Sequence, residues 1–174
     1  QQQFQKLLQK NGYQTAMIGK IHLRGKMQGF DYWEVLRGQG QYITPIFLTE
    51  EGPRDYEGHS TDVVTDLSLD WLENRRDKSK PFMAMVHYKA PHRGWMPAER
   101  FRTRFAETTF PEPDSLFDDY ENRGAAAHKQ DMSIAKTMHI GGDLKANQWE
   151  HRRKELLESG LRGKELISAK YQAY

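Results

Sequence analysis

The order of elements along the chain predicts an α/β fold. Two stretches with helical periodicity, 1–11 and 60–76, each lead into a short apolar run with strand character, 13–18 and 81–88. The second run, PFMAMVHY, is apolar on both faces, as parallel strands covered on two sides are.

Residues 1–11 place Phe4, Leu7 and Leu8 on one helical face, and Asn11-Gly12 reads as a C-terminal cap. Residues 13–18 form a strand around Ala16, Met17 and Ile18. The glycine-rich stretch 19–40 is expected to be an irregular surface loop, and 41–48 a strand that Pro45 demotes to a sheet edge. Ser60 and Thr61 are the expected N-cap of the next helix, with Val64, Leu67, Trp71 and Leu72 at helical spacing to about Arg76. A polar turn at 77–80 precedes the strand 81–88. Residues 97–105 are expected to be a short helix with Pro97 at its first position. The stretch 106–145 has little periodicity and reads as a long excursion; 146–159 and 164–174 are helical again.

The 174 residues correspond to about one domain. Lys plus Arg number 26 and Asp plus Glu 24, so a net charge of +2 gives no electrostatic footprint for nucleic acid. There is no cysteine, which excludes a disulfide framework, a thiolate metal site and a cysteine nucleophile within these residues. No apolar run approaches a membrane span of about 18–20 residues, the longest being of the kind at 82–86. The chain opens on three glutamines and ends inside a helical pattern without a stop signal, so it is expected to be a piece of something larger.

Two clusters carry chemistry. Lys20 and His22 are two apart, so in an extended segment they face one point just after a strand end. An ammonium and an imidazole there suit an anion, one neutralising charge and the other moving a proton; two ordinary loop residues are the bland alternative. His87, Lys89 and His92 form the second cluster. Pro91 bends the chain and presents His92 beyond the carboxyl end of a strand, where open α/β sheets bind their ligands. His87 reads rather as a satisfied core histidine. Asp118-Asp119 are expected to be solvated or capping groups, since a hard cation needs about six oxygens. The basic run 151–154 lies among glutamates and reads as a solvated helix face. Trp71 is expected in the core, and Trp95, close to His92, as a pocket wall.

Residues 12–23, GYQTAMIGKIHL, resemble the second signature of the sulfatase family, roughly Gly-Tyr-x-Thr-x-x-x-Gly-Lys-x-His-Leu. Gly12, Tyr13, Thr15, Gly19, Lys20, His22 and Leu23 match in register. Residues 80–95, KPFMAMVHYKAPHRGW, look like the family's strand and loop ending in Pro-His. GFDYW at 29–33 and GQGQY at 38–42 resemble bacterial members of the N-acetylglucosamine-6-sulfatase-like kind. The resemblance covers about residues 1–125, with the matched motifs in 1–95. It implies an alkaline-phosphatase-like α/β sandwich, a mixed sheet flanked by helices, of which 1–174 is an incomplete central portion.

The resemblance further implies a sulfuric ester hydrolase with a formylglycine nucleophile and a divalent cation, usually calcium, acting on a sulfated sugar or glycosaminoglycan-type substrate. Lys20 would contact the sulfate and the nucleophile. His22 would bond the nucleophile's hydroxyl and help release sulfate. His92 would bind the sulfate or protonate the leaving sugar oxygen, and Trp95 would line the substrate site. The nucleophile motif and the family's metal-binding motifs do not occur in these residues, so the isolated segment is expected to be inactive. Ile21 stands where tryptophan is common in the family. The alternatives are a phosphodiesterase or phosphonate hydrolase of the same superfamily, or a non-catalytic anion-binding remnant. The family is largely exported, to periplasm, cell surface or lysosome.

Overall fold

The computed structural model describes residues 2–23, 25–134, 137–139 and 158–172. The chain divides into two units, Gln1–Thr103 and Arg104–Tyr174.

The first unit is built on a five-stranded mixed sheet. Its strands are β1 (Gln14–Gly19), β2 (Tyr32–Leu36), β3 (Ile46–Thr49), β4 (Gly52–Asp55) and β5 (Phe82–His87), in the order β4-β3-β2-β1-β5. β1 runs parallel to both β2 and β5, while β3 and β4 pair antiparallel. The carboxyl ends of β1, β2 and β5 therefore lie on one edge of the sheet. Helix α1 (Phe4–Lys10) leads into β1 through Asn11, as expected.

Helix α2 (Ser60–Asp70) covers one face. Val63, Val64, Leu67 and Trp71 pack on Ala16, Ile18, Leu36 and Phe47, and these eight form the buried core. Trp71 is completely buried, its ring 6.5 Å from that of Tyr32 and 5.7 Å from that of Phe82. The expected helical pattern to residue 76 ends as a wider π-helical turn, Trp71–Arg75. The N-cap is His59, not Ser60 or Thr61. Its Nδ1 accepts from the Thr61 N–H at 3.2 Å, and Ser60 is already helical.

Three strand expectations are corrected. The stretch 19–40 is not all loop, because it contains β2. Thr15 and Asp31 fix the start of that strand: the Thr15 N–H donates to Asp31 Oδ2 at 2.8 Å, and the Asp31 N–H donates to the Thr15 carbonyl at 2.9 Å. Pro45 does not make an edge strand. β3 begins one residue later and is interior, so the missing N–H of proline falls outside the ladder. The edge is β4, where Pro53 sits. β5 is not the fully buried strand expected: Met83–Val86 are half-buried and Phe82 and His87 exposed, and β1 is its one neighbour among the described strands.

A buried carboxylate sits on the core side of β2. Glu34, 2% exposed, accepts from the hydroxyls of Tyr32 (2.7 Å) and Tyr56 (2.6 Å) and from Arg54 (3.2 Å). Burial, and then the hydrogen bond to Glu34, push both phenols above their ordinary range.

The 97–105 stretch is a 3-10 turn, Glu99–Phe101, with Ala98 as its cap and Pro97 before it. Arg100 makes a two-pronged bond to Asp62 in the first turn of α2, at 2.7 and 2.8 Å. That bond holds the Asp62 carboxyl below its usual range. The pair thus adds stability above the unfolded carboxyl's pKa, and the contribution is lost as pH falls through the depressed value. Arg100→Gln is expected to cost a small amount of stability near neutrality, because the pair is surface-exposed, and its difference from the wild type should vanish as pH falls through the depressed Asp62 value. Circular dichroism along an acid titration reads this directly.

The second unit contains a 3-10 turn (Asp114–Phe117), α3 (Ala125–Lys129) and α4 (Gly163–Gln172). Gln172 bonds the Phe110 N–H and carbonyl at 3.2 and 2.9 Å. Between 106 and 134 the regular elements described are the 3-10 turn and α3. The helix expected at 146–159 and the basic run 151–154 lie outside the described residues, apart from 158 and 159. No described helix is long and apolar enough to cross a membrane.

Candidate active site at the carboxyl edge of the sheet

Three segments leave the same sheet edge. Residues 20–23 follow β1, 37–42 follow β2, and 88–96 follow β5. The first turns away at Gly19, whose φ is +100° and whose Cα lies so near β5 that an added Cβ would stand 2.0 Å from the His87 carbonyl oxygen. Lys20 and His87 then bond reciprocally: the Lys20 N–H donates to the His87 carbonyl (2.7 Å), and His87 Nδ1 lies 3.2 Å from the Lys20 carbonyl. His87 is exposed and serves this strand junction, so it is not the core histidine expected.

Lys20 and His22 do reach a common point, and that point is a side chain. Lys20 Nζ donates to Gln39 Oε1 at 2.8 Å, and Gln39 Nε2 lies 3.5 Å from His22 Nε2. Lys20 is half-buried and His22 exposed. Gln39 sits in a turn closed by the Gly40 N–H on the Arg37 carbonyl, 3.0 Å.

The third segment is tied to the second. Lys89 is 7% exposed; its Nζ donates to the Gln39 carbonyl at 3.1 Å and lies 4.8 Å from the centre of the Tyr42 ring. The Tyr42 hydroxyl donates to the His92 carbonyl at 2.7 Å. Lys89 is buried while His87, at the end of β5, is exposed, so the two do not share one environment. His92 stands exposed beyond the strand end, its Nδ1 3.2 Å from the Arg93 carbonyl. The Trp95 indole N–H donates to the Pro91 carbonyl at 2.7 Å. Trp95 thereby closes the turn that carries His92.

A cavity of about 710 Å³ opens beside this edge. His22 and Gln39 line it together with Trp33, Val35 and Leu48. Its volume suits a small-molecule ligand. Trp33 forms a wall here, while Trp95 is not among the lining residues. Gln39 and Tyr42 were missed as site residues from the sequence, although the flanking glycines of GQGQY signal a tight turn.

Residues 1–145 match the sulfatase family model. The chain belongs to the sulfatase family. Over its whole length it is 47% identical to N-acetylglucosamine-6-O-sulfatase of Bacteroides thetaiotaomicron, and it spans 37% of that protein. It is 30% identical over 98 residues to the ulvan-active sulfatase of Formosa agariphila, covering 49% of this chain and 19% of that protein. Among solved structures it resembles BT4656 in complex with its substrate D-glucosamine-2-N,6-O-disulfate. The TM-score is 0.85 at 45% identity, covering all of this chain and 42% of that one. The fold class read from the sequence, a partial alkaline-phosphatase-like mixed sheet with flanking helices, is the one found.

The sulfatase family implies a divalent metal in general. The described residues of this chain do not fit one. No group of three or more His, Cys, Asp or Glu comes together among them. Asp118 accepts from the Tyr120 N–H (2.9 Å) and from Arg123 (3.0 Å), and Asp119 accepts from the Glu121 N–H (2.9 Å). Both are capping carboxylates, as expected.

Proposed function

We propose that residues 1–174 are the central portion of a sulfatase catalytic domain whose complete protein hydrolyses the 6-O-sulfate ester of a glucosamine-type sugar. The whole-chain likeness to a protein solved with D-glucosamine-2-N,6-O-disulfate carries this reading. The S–O bond is cleaved with water, giving the free sugar hydroxyl and hydrogensulfate. In this reading Lys20 offsets the charge of the sulfate oxygens, as poised cations do for anions that resist attack. His22 accepts a proton through its ring, and His92 binds the sulfate or gives a proton to the leaving sugar oxygen. Trp95 supports the substrate side by holding the His92 turn. Calcium is the proposed cation of the complete protein, and none of the described residues is assigned to it. Supporting the reading, Lys20 and His22 lie at the carboxyl edge of a sheet, and His22 lines a cavity there whose volume falls in the small-molecule range.

The test is sulfate release by the complete protein from N-acetylglucosamine 6-sulfate and D-glucosamine-2-N,6-O-disulfate, set against galactose 6-sulfate and bis(4-nitrophenyl) phosphate. Preferential release from the two glucosamine esters is expected. Phosphodiester cleavage without sulfate release would overturn the reading in favour of a phosphodiesterase of the same superfamily.

A further inference from the structure

Lys20 and His22 meet on opposite ends of one amide, and the chemistry of a lysine decides how that amide points. An ammonium has three donors and no acceptor. It must therefore face the oxygen of the Gln39 side chain, which it does at 2.8 Å. The amide NH2 is left facing His22 Nε2 at 3.5 Å, the outer limit of a hydrogen bond. An NH2 group can only donate, so the ring nitrogen opposite it must carry a lone pair. The neutral imidazole then holds its proton on Nδ1.

The main chain of Gln39 is held as firmly as its side chain. Buried Lys89 grips the Gln39 carbonyl at 3.1 Å while its ammonium rests over the Tyr42 ring. Gln39 is exposed, yet both its main chain and its side chain are held, by Lys89 and by Lys20.

We propose that Gln39 is a positioning residue: read in one orientation by Lys20 and anchored by Lys89, it holds His22 as the Nδ1–H tautomer, with the Nε2 lone pair facing the Gln39 amide at the cavity edge. The tautomer assignment stands on the geometry alone. Its catalytic consequence rests on the sulfatase reading above, in which His22 must accept a proton. Gln39 itself touches no reacting atom; it acts through Lys20 and His22.

Two substitutions separate the arms of this relay in the complete protein. Gln39→Glu keeps an acceptor for Lys20 but turns an acceptor toward His22, so the imidazole proton should move to Nε2. Gln39→Ala removes both arms. The first readout is the pair of His22 ring ¹⁵N shifts, taken above the imidazole titration range and assigned by their loss in His22→Gln. The wild type should show a pyrrole-like Nδ1 and a pyridine-like Nε2, Gln39→Glu the reverse, and Gln39→Ala an average of the two. The second readout is kinetics on the sulfate ester. Both Gln39 variants should lose roughly 10- to 100-fold in kcat, the scale of a misplaced reacting group. KM should change by about threefold or less, and the melting temperature should stay put.

Protonated Nε2 in the wild type, or ¹⁵N shifts that do not respond to Gln39→Glu, overturns the proposal. So does an unchanged kcat in both Gln39 variants while Lys20→Ala and His22→Ala lose activity, and in that case the sulfatase reading stands. Full activity of Lys20→Ala and His22→Ala instead overturns the sulfatase site and with it the catalytic half of the proposal, leaving the tautomer readout to decide the rest.

Discussion

Lys20→Ala in the complete protein is expected to lower kcat/KM for the sulfate ester by about 10²- to 10³-fold, the cost of deleting one preorganised electrostatic contact to a reacting anion. The ammonium reaches its place without strain on the fold. It leaves the sheet edge directly after β1, half-buried, with its main chain bonded to β5 and its tip on Gln39. Removing the side chain leaves the main-chain bond to His87 intact, so the melting temperature should hardly move. Lys20→Arg should not restore activity, because a planar fork does not replace a compact ammonium at the end of a fixed reach. Steady-state sulfate release measured beside thermal unfolding separates the two effects. A loss of activity that merely tracked a loss of fold would count against a chemical role for Lys20.

The second large effect is structural and falls on the neighbouring residue. Gly19→Ala should destabilise the protein by about 3 kcal/mol or more, combining backbone strain with a clash that cannot relax. Its φ of +100° lies where side chains are rarely found, and the obstructing atom, 2.0 Å from the added carbon, is backbone of β5. Gly12→Ala is the matched control. Gly12 also has a positive φ, +84°, but an added Cβ there meets nothing within 4 Å. It should cost only the conformational term, about 1–2 kcal/mol. Urea unfolding of the two variants tests the difference; equal losses would show that the close approach of β1 to β5 contributes nothing. Gly19→Ala should also abolish sulfate release, since it displaces Lys20 from the His87 junction.

What the sequence revealed and what it hid have physical causes. β1, α2 and β5 were legible because their apolar residues recur at the spacing of one element and nothing interrupts them. That Lys20 and His22 reach one common point was legible because they are two residues apart after a strand. β2 was hidden because Glu34 occupies a core position in YWEVL, and a charged residue there masks the alternation of Tyr32 and Leu36 with Trp33 and Val35. β3 is expected at a sheet edge from its proline but is interior, because Pro45 lies beside the strand and not within it. His59 was passed over as a cap because histidine lacks the short oxygen that marks the usual cap residues. Gln39 could not be read as part of the site at all. Its role arises from a contact between segments nineteen residues apart, and only the pairing of β1 with β2 brings them together.

That pairing has a safeguard. Strand side chains alternate between faces, so a slip of β2 by one residue would exchange its whole set. Glu34 would turn to the opposite face together with Tyr32, and the Tyr56 hydroxyl and Arg54 would both lose their carboxylate acceptor. The carboxylate cluster thus acts as a spelling check on strand alignment: an apolar residue at that position would tolerate the misreading, and Glu34 rejects it. The beneficiary lies five residues downstream. Correct alignment of β2 is what delivers Gln39 between the lysine and the histidine, so an apparently remote buried charge governs whether the sheet edge is assembled in working order.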